Sequence, residues 1–210
     1  MFELKNIKFL NILDIPYLKI NEGKVTVIVG PSGSGKSTLL KMLNKMQSPT
    51  SGEIYYKGKN IKNIDPIKLR RKLPMLGQDV IRYHKTVIDN LLIGLKFQNK
   101  SLVDDKILKE VLKKVRLDID LDTNIEKLSG GEMQRVAIAR LILLDRDIYL
   151  LDEPTSALDS ETEDIVIGNF IENFRGNTII YVTHSEKLAQ KYADEIIEII
   201  GGKLNERRSN

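Results

Sequence analysis

The chain has 210 residues, of which 41% are hydrophobic and 30% charged, with no cysteine and a formal net charge of +4. This length predicts one globular domain with a sizeable core. The absence of cysteine excludes disulfides, thiolate metal sites and cysteine nucleophiles. The positive charge is mild and dispersed, whereas a nucleic-acid surface would cluster its lysines and arginines. We therefore expect no nucleic-acid partner.

Hydrophobic residues do not form a run approaching the roughly 20 residues that span a bilayer. The first residues, MFELKNIKFLNIL, lack a long apolar stretch after a basic start. We expect neither a membrane span nor a secretory signal, so work at a membrane would need another chain.

The first half of the chain alternates strand and helix patterns. Residues 24–29 form a short apolar run that predicts a buried strand, and residues 35–46 carry apolar side chains at helical spacing. Residues 52–60 predict a β-hairpin, and Tyr17 is predicted to lie in the core. The basic cluster at residues 70–72 is expected to end a helix, because cations suit a helix C-terminus.

The second half begins with helical patterns and ends with strands. Residues 101–117 place their apolar side chains on one face of a predicted helix. Buried strands are predicted at residues 147–151, 178–183 and 196–200.

The order of elements predicts an α/β fold with a mostly parallel sheet, an N-terminal antiparallel β arm and an inserted helical subdomain. We expect a single domain over residues 1–210. Its α/β core would comprise residues 1–77 and 145–210, and the helical subdomain residues 78–144. Polar residues follow three predicted strands, at the sheet edge where ligands bind in such folds.

The segment GPSGSGKS at residues 30–37 matches G-x-x-x-x-G-K-[ST], follows a predicted strand and opens a predicted helix. Glycines let backbone N–H groups turn toward phosphates, and the helix N-terminus favours negative charge. The lysine would reach the β- and γ-phosphates, and the last serine would bind Mg²⁺. This predicts a P-loop NTPase core. The predicted phosphate-binding residues are Gly30, Pro31, Ser32, Gly33, Ser34, Gly35, Lys36, Ser37 and Thr38.

Two carboxylates, Asp152 and Glu153, end a predicted apolar strand. Asp152 could hold Mg²⁺ through water, and Glu153 could take a proton from a water molecule that attacks the γ-phosphate. The phosphate-loop motif alone does not separate a nucleotide kinase, a GTPase and other ATPases.

The segment LSGGEMQR at residues 128–135 resembles the signature of the ABC ATPase family. Ser129, Gly130 and Gly131 would start a helix there and form a second anion site. Gln78 resembles the family's Q-loop glutamine, residues 156–159 resemble its D-loop, and His184 resembles its switch histidine. The resemblance covers nearly the whole chain.

This resemblance implies an ATPase that uses ATP and Mg²⁺. Catalytic roles fall to Glu153, His184 and Gln78, and Mg²⁺ would be held by Ser37, Gln78 and Asp152. Phe9 is the candidate for the aromatic residue that stacks on adenine. Arg146 stands where many members have proline, and we expect this change to be neutral.

The resemblance also implies a head-to-tail homodimer closed by two ATP molecules. Each ATP would lie between the phosphate loop of one subunit and the signature residues Ser129–Gly131 of the other. The first functional interpretation is the ATP-hydrolysing subunit of a transporter, cytoplasmic and held at the inner face of the cell membrane by separate permease subunits. A second is a non-transport ABC ATPase of the cell-division or iron–sulfur assembly type. A third is a DNA-repair or chromosome ATPase. It is disfavoured because no long coiled coil interrupts the predicted core of this sequence.

Overall fold

The computed structural model describes residues 1–209, which form ten strands and seven helices. The strands are β1 (Phe2–Phe9), β2 (Leu13–Ile20), β3 (Val25–Val29), β4 (Ser51–Tyr56), β5 (Lys59–Asn60), β6 (Met75–Leu76), β7 (Ile148–Asp152), β8 (Thr178–Val182), β9 (Glu195–Ile200) and β10 (Lys203–Ser209). The helices are α1 (Lys36–Leu43), α2 (Pro66–Lys72), α3 (Val87–Phe97), α4 (Asp105–Lys114), α5 (Gly130–Leu144), α6 (Ser160–Asn173) and α7 (Glu186–Tyr192).

The chain divides into two compact units. The first contains residues 1–75, residues 146–152 and the segment from residue 176 onward, and the second contains residues 76–145 and 153–175. The boundaries expected from the sequence for a catalytic core and a helical subdomain stay a prediction.

The first unit is built on two sheets. One has the strand order β10-β9-β3-β8-β7-β6, in which β9, β3, β8 and β7 run parallel and β10 pairs antiparallel with β9. The other is antiparallel, with the order β2-β1-β4-β5. Every residue of β7 and β8 is buried, as expected for strands covered on both faces. The predicted α/β fold, with a mostly parallel sheet and an antiparallel arm, is confirmed.

The antiparallel arm corrects the prediction for Tyr17, which is 49% exposed and donates a hydrogen bond to Glu3. Strict alternation from Leu13 would turn this side chain inward. Asn6 on β1 has a φ of +52°, and the neighbouring position on β2 is Pro16, which has no N–H to donate. The inward face shifts by one residue there, so Tyr17 points outward.

Helices α3, α4, α5 and α6 make up most of the second unit, and α5 packs against the other three. The helix predicted over residues 101–117 is present as α4 but begins later. Asp104 accepts a hydrogen bond from the N–H of Ile107 at 3.0 Å and so fixes the start of the helix at Asp105. In the part of the chain that the structure describes, no helix is both long and apolar enough to cross a membrane.

Candidate nucleotide-binding site

The phosphate loop connects the end of β3 to the start of α1, and its glycines are required by geometry. Gly30 has a φ of +141°, and a Cβ atom there would lie 2.0 Å from the carbonyl oxygen of Ile199. Gly35 has a φ of +96°, and its Cβ would lie 2.5 Å from a methyl group of Leu13. Any larger residue would push the loop away from the sheet edge and distort its curve.

Lys36 holds the phosphate loop in its curved form. Its buried ammonium group donates to the carbonyl oxygens of Gly30 at 2.8 Å and Pro31 at 2.9 Å. The hydroxyl oxygen of Ser34 is also buried and has no hydrogen-bond partner among the described residues. Within residues 1–209 no side chain caps the N-terminus of α1, which begins directly after Gly35. A cation, a hydroxyl and an uncapped helix start therefore lie in one loop, which suits a bound phosphate.

Ser37 and Asp152 come together although they are far apart in sequence. The Ser37 hydroxyl donates to a carboxylate oxygen of Asp152 at 2.7 Å, and Asp152 is buried at the end of β7. Helix α1 packs against β7 and β8, which brings its first turn to the carboxyl end of β7. A hydroxyl and a carboxylate oxygen are the ligands that Mg²⁺ prefers, so these two residues fit the metal expected with ATP.

The switch-histidine candidate lies at the same edge of the sheet. Because β8 is hydrogen-bonded between β3 and β7, the segments after these three parallel strands leave the sheet side by side. His184 is an exposed residue in the segment between β8 and α7. The first unit thus places the phosphate loop, Asp152 and His184 at the carboxyl ends of neighbouring strands.

The signature segment starts α5 in the second unit. Ser129 caps this helix, and its hydroxyl oxygen accepts a hydrogen bond from the N–H of Glu132 at 3.3 Å. The Glu132 carboxylate accepts in return from the N–H of Ser129 at 2.9 Å and from its hydroxyl at 2.8 Å. These two hydrogen bonds hold the pKa of Glu132 below its usual range. The signature serine is therefore bound to an acidic side chain of its own helix.

The signature glycines leave room for the D-loop segment. A Cβ atom at Gly131 would lie 2.9 Å from a methyl group of Leu158 and 3.0 Å from the carbonyl oxygen of Ala157, whereas one at Gly130 would meet only the Ala157 side chain at 3.7 Å. Gly131 thus allows the helix start and the D-loop segment to approach closely.

Gln134 fixes the D-loop segment and was not singled out by the sequence analysis. Its buried amide donates to the Ser156 hydroxyl at 2.9 Å and accepts from the N–H of Ala157 at 2.9 Å. The available signal was a glutamine among the apolar residues of a helix, since a buried amide needs hydrogen-bond partners.

Gln78 and Glu153 also come together within the second unit, where the Gln78 amide donates to a Glu153 carboxylate oxygen at 3.3 Å. Glu153 has a φ of +48°, which is uncommon for a residue with a side chain. Such strain is often kept at functional sites.

Phe9, the residue expected to stack on adenine, ends β1 and is partly buried against the hydrophobic core. The turn that follows exposes apolar side chains, with Leu10 69% and Ile12 38% exposed. This turn lies against the phosphate loop, because the Ile12 carbonyl oxygen would be 3.2 Å from a Cβ at Gly35.

A phosphate loop between a central parallel strand and an uncapped helix, with an acidic residue ending the parallel strand two places away in the sheet, defines a P-loop nucleotide-binding protein. The family model described as ABC transporter matches residues 13–156. The chain therefore belongs to the ABC transporter family, and it is an ATP-binding ATPase of that family.

Known proteins from bacteria and archaea are similar over most of this chain. The L-cystine import ATP-binding protein TcyC of Bacillus subtilis is 39% identical, over 90% of this chain and 81% of its own length. The phosphate import ATP-binding protein PstB 3 of Natronomonas pharaonis is 36% identical, over 92% of this chain and 74% of its own length. These relatives favour a transport function over the non-transport alternative.

Solved structures agree with this assignment. A dimeric ATP-binding cassette in a post-hydrolysis state, bound to ADP and Pi, has a TM-score of 0.86 and 31% identity, covering 100% of this chain and 98% of that one. An Atm1-family bacterial ABC exporter with ATP bound has a TM-score of 0.89 and 29% identity, covering 99% of this chain but only 38% of that one.

Proposed function

We propose that this chain is the energy-supplying subunit of a membrane transporter and that two copies close around two ATP molecules. The observation that carries the proposal is the presence of two glycine-containing helix starts in one chain, one after Gly35 and one after Ser129. In the proposed dimer, each ATP lies between the phosphate loop of one copy and residues Ser129–Gly131 of the other. ATP favours closure because it binds across the interface of the closed dimer.

The phosphate loop binds the triphosphate in this proposal. Backbone N–H groups within residues 32–38 and the Lys36 ammonium group bind the β- and γ-phosphates. Mg²⁺ is held by Ser37, Asp152 and Gln78 and, when bound, neutralises part of the phosphate charge. The hydrogen bond of 2.7 Å between Ser37 and Asp152 supports the first two of these ligands.

Hydrolysis in this proposal uses Glu153 as the general base. The water oxygen attacks the γ-phosphorus, Glu153 takes the proton from that water, and the bond to the β–γ bridging oxygen breaks to leave ADP and phosphate. Gln78 orients the Glu153 carboxylate through the hydrogen bond of 3.3 Å, and His184 binds the γ-phosphate. Loss of the bond between the γ- and β-phosphates lets the dimer open.

The partners in this proposal are permease subunits in the membrane. They hold the ATPase at the cytoplasmic face of the cell membrane and receive the opening and closing motion. The names of the two import relatives support a transport partner of this kind.

The test is a Glu153→Gln variant, which keeps the size and shape of the side chain but removes the base. We expect ATP turnover to be abolished and a stable dimer to form with Mg²⁺-ATP, measured as a doubled molar mass by light scattering. Glu161→Gln, which changes an exposed acid in the first turn of α6, is the matched control and should turn over normally. A Glu153→Gln variant that binds ATP and stays monomeric would contradict the proposed dimer.

A further inference from the structure

A second concave site lies in the first unit, away from the phosphate loop. It is a cavity of about 980 Å³ between the β4–β5 hairpin, α2 and the segment that leads into β7. Residues 146–148 of its wall lie at the start of β7, whereas Asp152 ends that strand. At about 3.3 Å per residue, the strand places some 13 Å between Ile148 and Asp152. We call this cavity the basic groove.

The lining of the basic groove is strongly cationic. Six basic residues face two acidic ones across it. The basic residues are Lys57, Lys59, Lys68, Arg71, Lys72 and Arg146. Low-dielectric walls around charges of one sign focus the field and attract counter-ions.

The two acidic residues leave much of this charge uncompensated. Asp65 uses a carboxylate oxygen to cap α2, accepting from the N–H of Lys68 at 2.8 Å. Asp147 is the other carboxylate. The hydrogen bond to Glu22 is the main cause that raises the pKa of Lys57, and burial is the main cause that raises the pKa of Tyr56. The charge of Asp147 adds a smaller upward effect on both pKa values. Lys57 also pairs with Glu22 at 2.5 Å.

The remaining lysines and Arg71 differ from Lys57, because they have no partner in the described chain that compensates their charge. Among residues 1–209, the side chains of Lys59, Lys68, Arg71 and Lys72 form no hydrogen bond or ion pair.

The dipole at the C-terminus of α2 does not by itself account for the basic residues on this helix. Arg70 has the structural role, because its guanidinium group donates to the carbonyl oxygen of Lys45 at 2.6 Å. Lys68, Arg71 and Lys72 are spaced three and four residues apart and line the groove together. Like charges at this spacing destabilise a helix. A bound anion would remove that repulsion.

Arg146 adds a guanidinium group on a backbone that is held in place. The backbone N–H of Arg146 donates to the Tyr149 hydroxyl at 2.7 Å, and its backbone carbonyl oxygen accepts from the Asn177 amide at 2.7 Å. Its side-chain Nε is buried and has no hydrogen-bond partner within the described chain. A buried donor without a partner costs free energy, and a side-chain rotation that brings this group to an oxygen of a bound ligand would recover it. A ligand-binding role for Arg146 would replace the neutral one expected from the sequence.

We propose that the basic groove binds a small molecule or headgroup that carries at least two phosphate groups, at a site separate from the nucleotide site. Arginine and lysine side chains suit phosphate because charge-assisted hydrogen bonds are strong, and guanidinium groups bind two oxygens at once. The cations of the groove that have no ion pair among the described residues lie on three separate elements and match several phosphates better than one.

The test uses tripolyphosphate as the soluble probe and isothermal titration calorimetry at low ionic strength. A Lys36→Ala background suppresses binding at the phosphate loop, so remaining binding reports the groove. We expect Lys68→Gln with Arg71→Gln to weaken that binding about 10-fold or more. Lys106→Gln with Lys109→Gln removes the same charge from the exposed face of α4 and should change it less than about 2-fold.

Arg146→Lys is the conservative variant. It keeps the charge but loses the guanidinium group, and we expect it to weaken binding several-fold. Equal thermal midpoints of all variants would show that they are folded.

A vesicle arm distinguishes the source of the phosphates. Phosphatidylcholine vesicles with and without cardiolipin are sedimented with the protein and with the same variants. If the protein binds tripolyphosphate but not the vesicles, the ligand is a soluble molecule. If the protein sediments only with cardiolipin vesicles and the groove variants abolish this, the ligand is a lipid headgroup. If neither probe binds, or if the α4 control loses as much binding as the groove variant, the proposal is overturned. Neither result depends on whether the chain hydrolyses ATP.

Discussion

Helix α1 begins after Gly35 and helix α5 begins after Ser129, each in a glycine-containing segment proposed to bind phosphate. The two helix starts nevertheless differ in how their N-termini are capped. No side chain in residues 1–209 caps α1. Helix α5 has a complete capping box, in which Ser129 and Glu132 satisfy each other. At the second helix start the N–H and hydroxyl of Ser129 are already bound to Glu132, whereas the first has no such side-chain partner within the described chain.

In the proposed dimer, this difference indicates which phosphate site is ready before nucleotide arrives. An uncapped helix start leaves a favourable interaction unused until an anion binds. At α5, a phosphate that approached Ser129 would meet the Glu132 carboxylate, which already accepts two hydrogen bonds there. We infer that the first site binds ATP alone, whereas the second binds only when closure of the dimer displaces or reorients Glu132.

The largest effect is expected for Lys36→Ala, which tests the prepared site. Loss of the ammonium group removes a charge-assisted contact with phosphate and also the two hydrogen bonds that curve the loop. We expect the affinity for Mg²⁺-ATP to fall roughly 100-fold or more in calorimetry. Lys41→Ala, in the same helix, is the control and should bind normally. Unchanged ATP affinity in Lys36→Ala would remove the basis for the phosphate assignment.

Gly131→Ala tests how closely the α5 start approaches the D-loop segment. The new methyl group would lie 2.9 Å from Leu158 and 3.0 Å from a backbone oxygen, so we expect the free energy of unfolding in urea to fall by about 1–2 kcal/mol. Gly130→Ala is the control, because its methyl group would make an ordinary contact at 3.7 Å. Its effect should stay within about 0.5 kcal/mol. Equal stability of the two variants would show that close approach is not what Gly131 provides.

The sequence predicted best where a function depends on a short contiguous segment. The phosphate loop from Gly30 to Ser37 carries its own strand, turn and helix signals, and the strands and helix predicted around it are present. The Ser129–Glu132 capping box could also be predicted from the sequence, since S-x-x-E is its sequence pattern.

Features that depend on distant residues could not be predicted. The clamp of Gln134 on Ser156 and Ala157 requires the D-loop to meet α5, and the basic groove needs three separate elements to converge. Tyr17 was predicted wrongly because the inward faces of β1 and β2 both shift by one residue where Asn6 lies beside Pro16.

Phe9→Ala tests the adenine end of the prepared site. If Phe9 stacks on the base as the family resemblance implies, the variant should weaken ATP binding about 3- to 10-fold and leave tripolyphosphate binding unchanged, because tripolyphosphate has no base. Ile12→Ala is the comparison, since Ile12 is exposed in the adjacent turn. Lower stability with unchanged ATP affinity in Phe9→Ala would assign Phe9 to the core, against which it partly packs.

The smallest effect is expected for Glu132→Gln, which turns the self-capped helix start into a neutral one. The folded-state pKa of Glu132 lies below the usual value of 4.5, so its charge stabilises the fold above that pH. This contribution is lost as the pH falls through the folded-state pKa. Glu132→Gln should therefore be less stable than the parent by about 0.5 kcal/mol at neutral pH, and the difference should vanish in acid.

The same Glu132→Gln variant separates stability from nucleotide binding. In the Glu153→Gln background we expect it to tighten the ATP-dependent dimer a few-fold, because a carboxylate no longer faces the incoming phosphate. Light scattering over a protein dilution series measures this, with Glu110→Gln on α4 as the control. A dimer weakened by Glu132→Gln would mean that the carboxylate assists closure, and the contrast drawn between the two helix starts would be wrong.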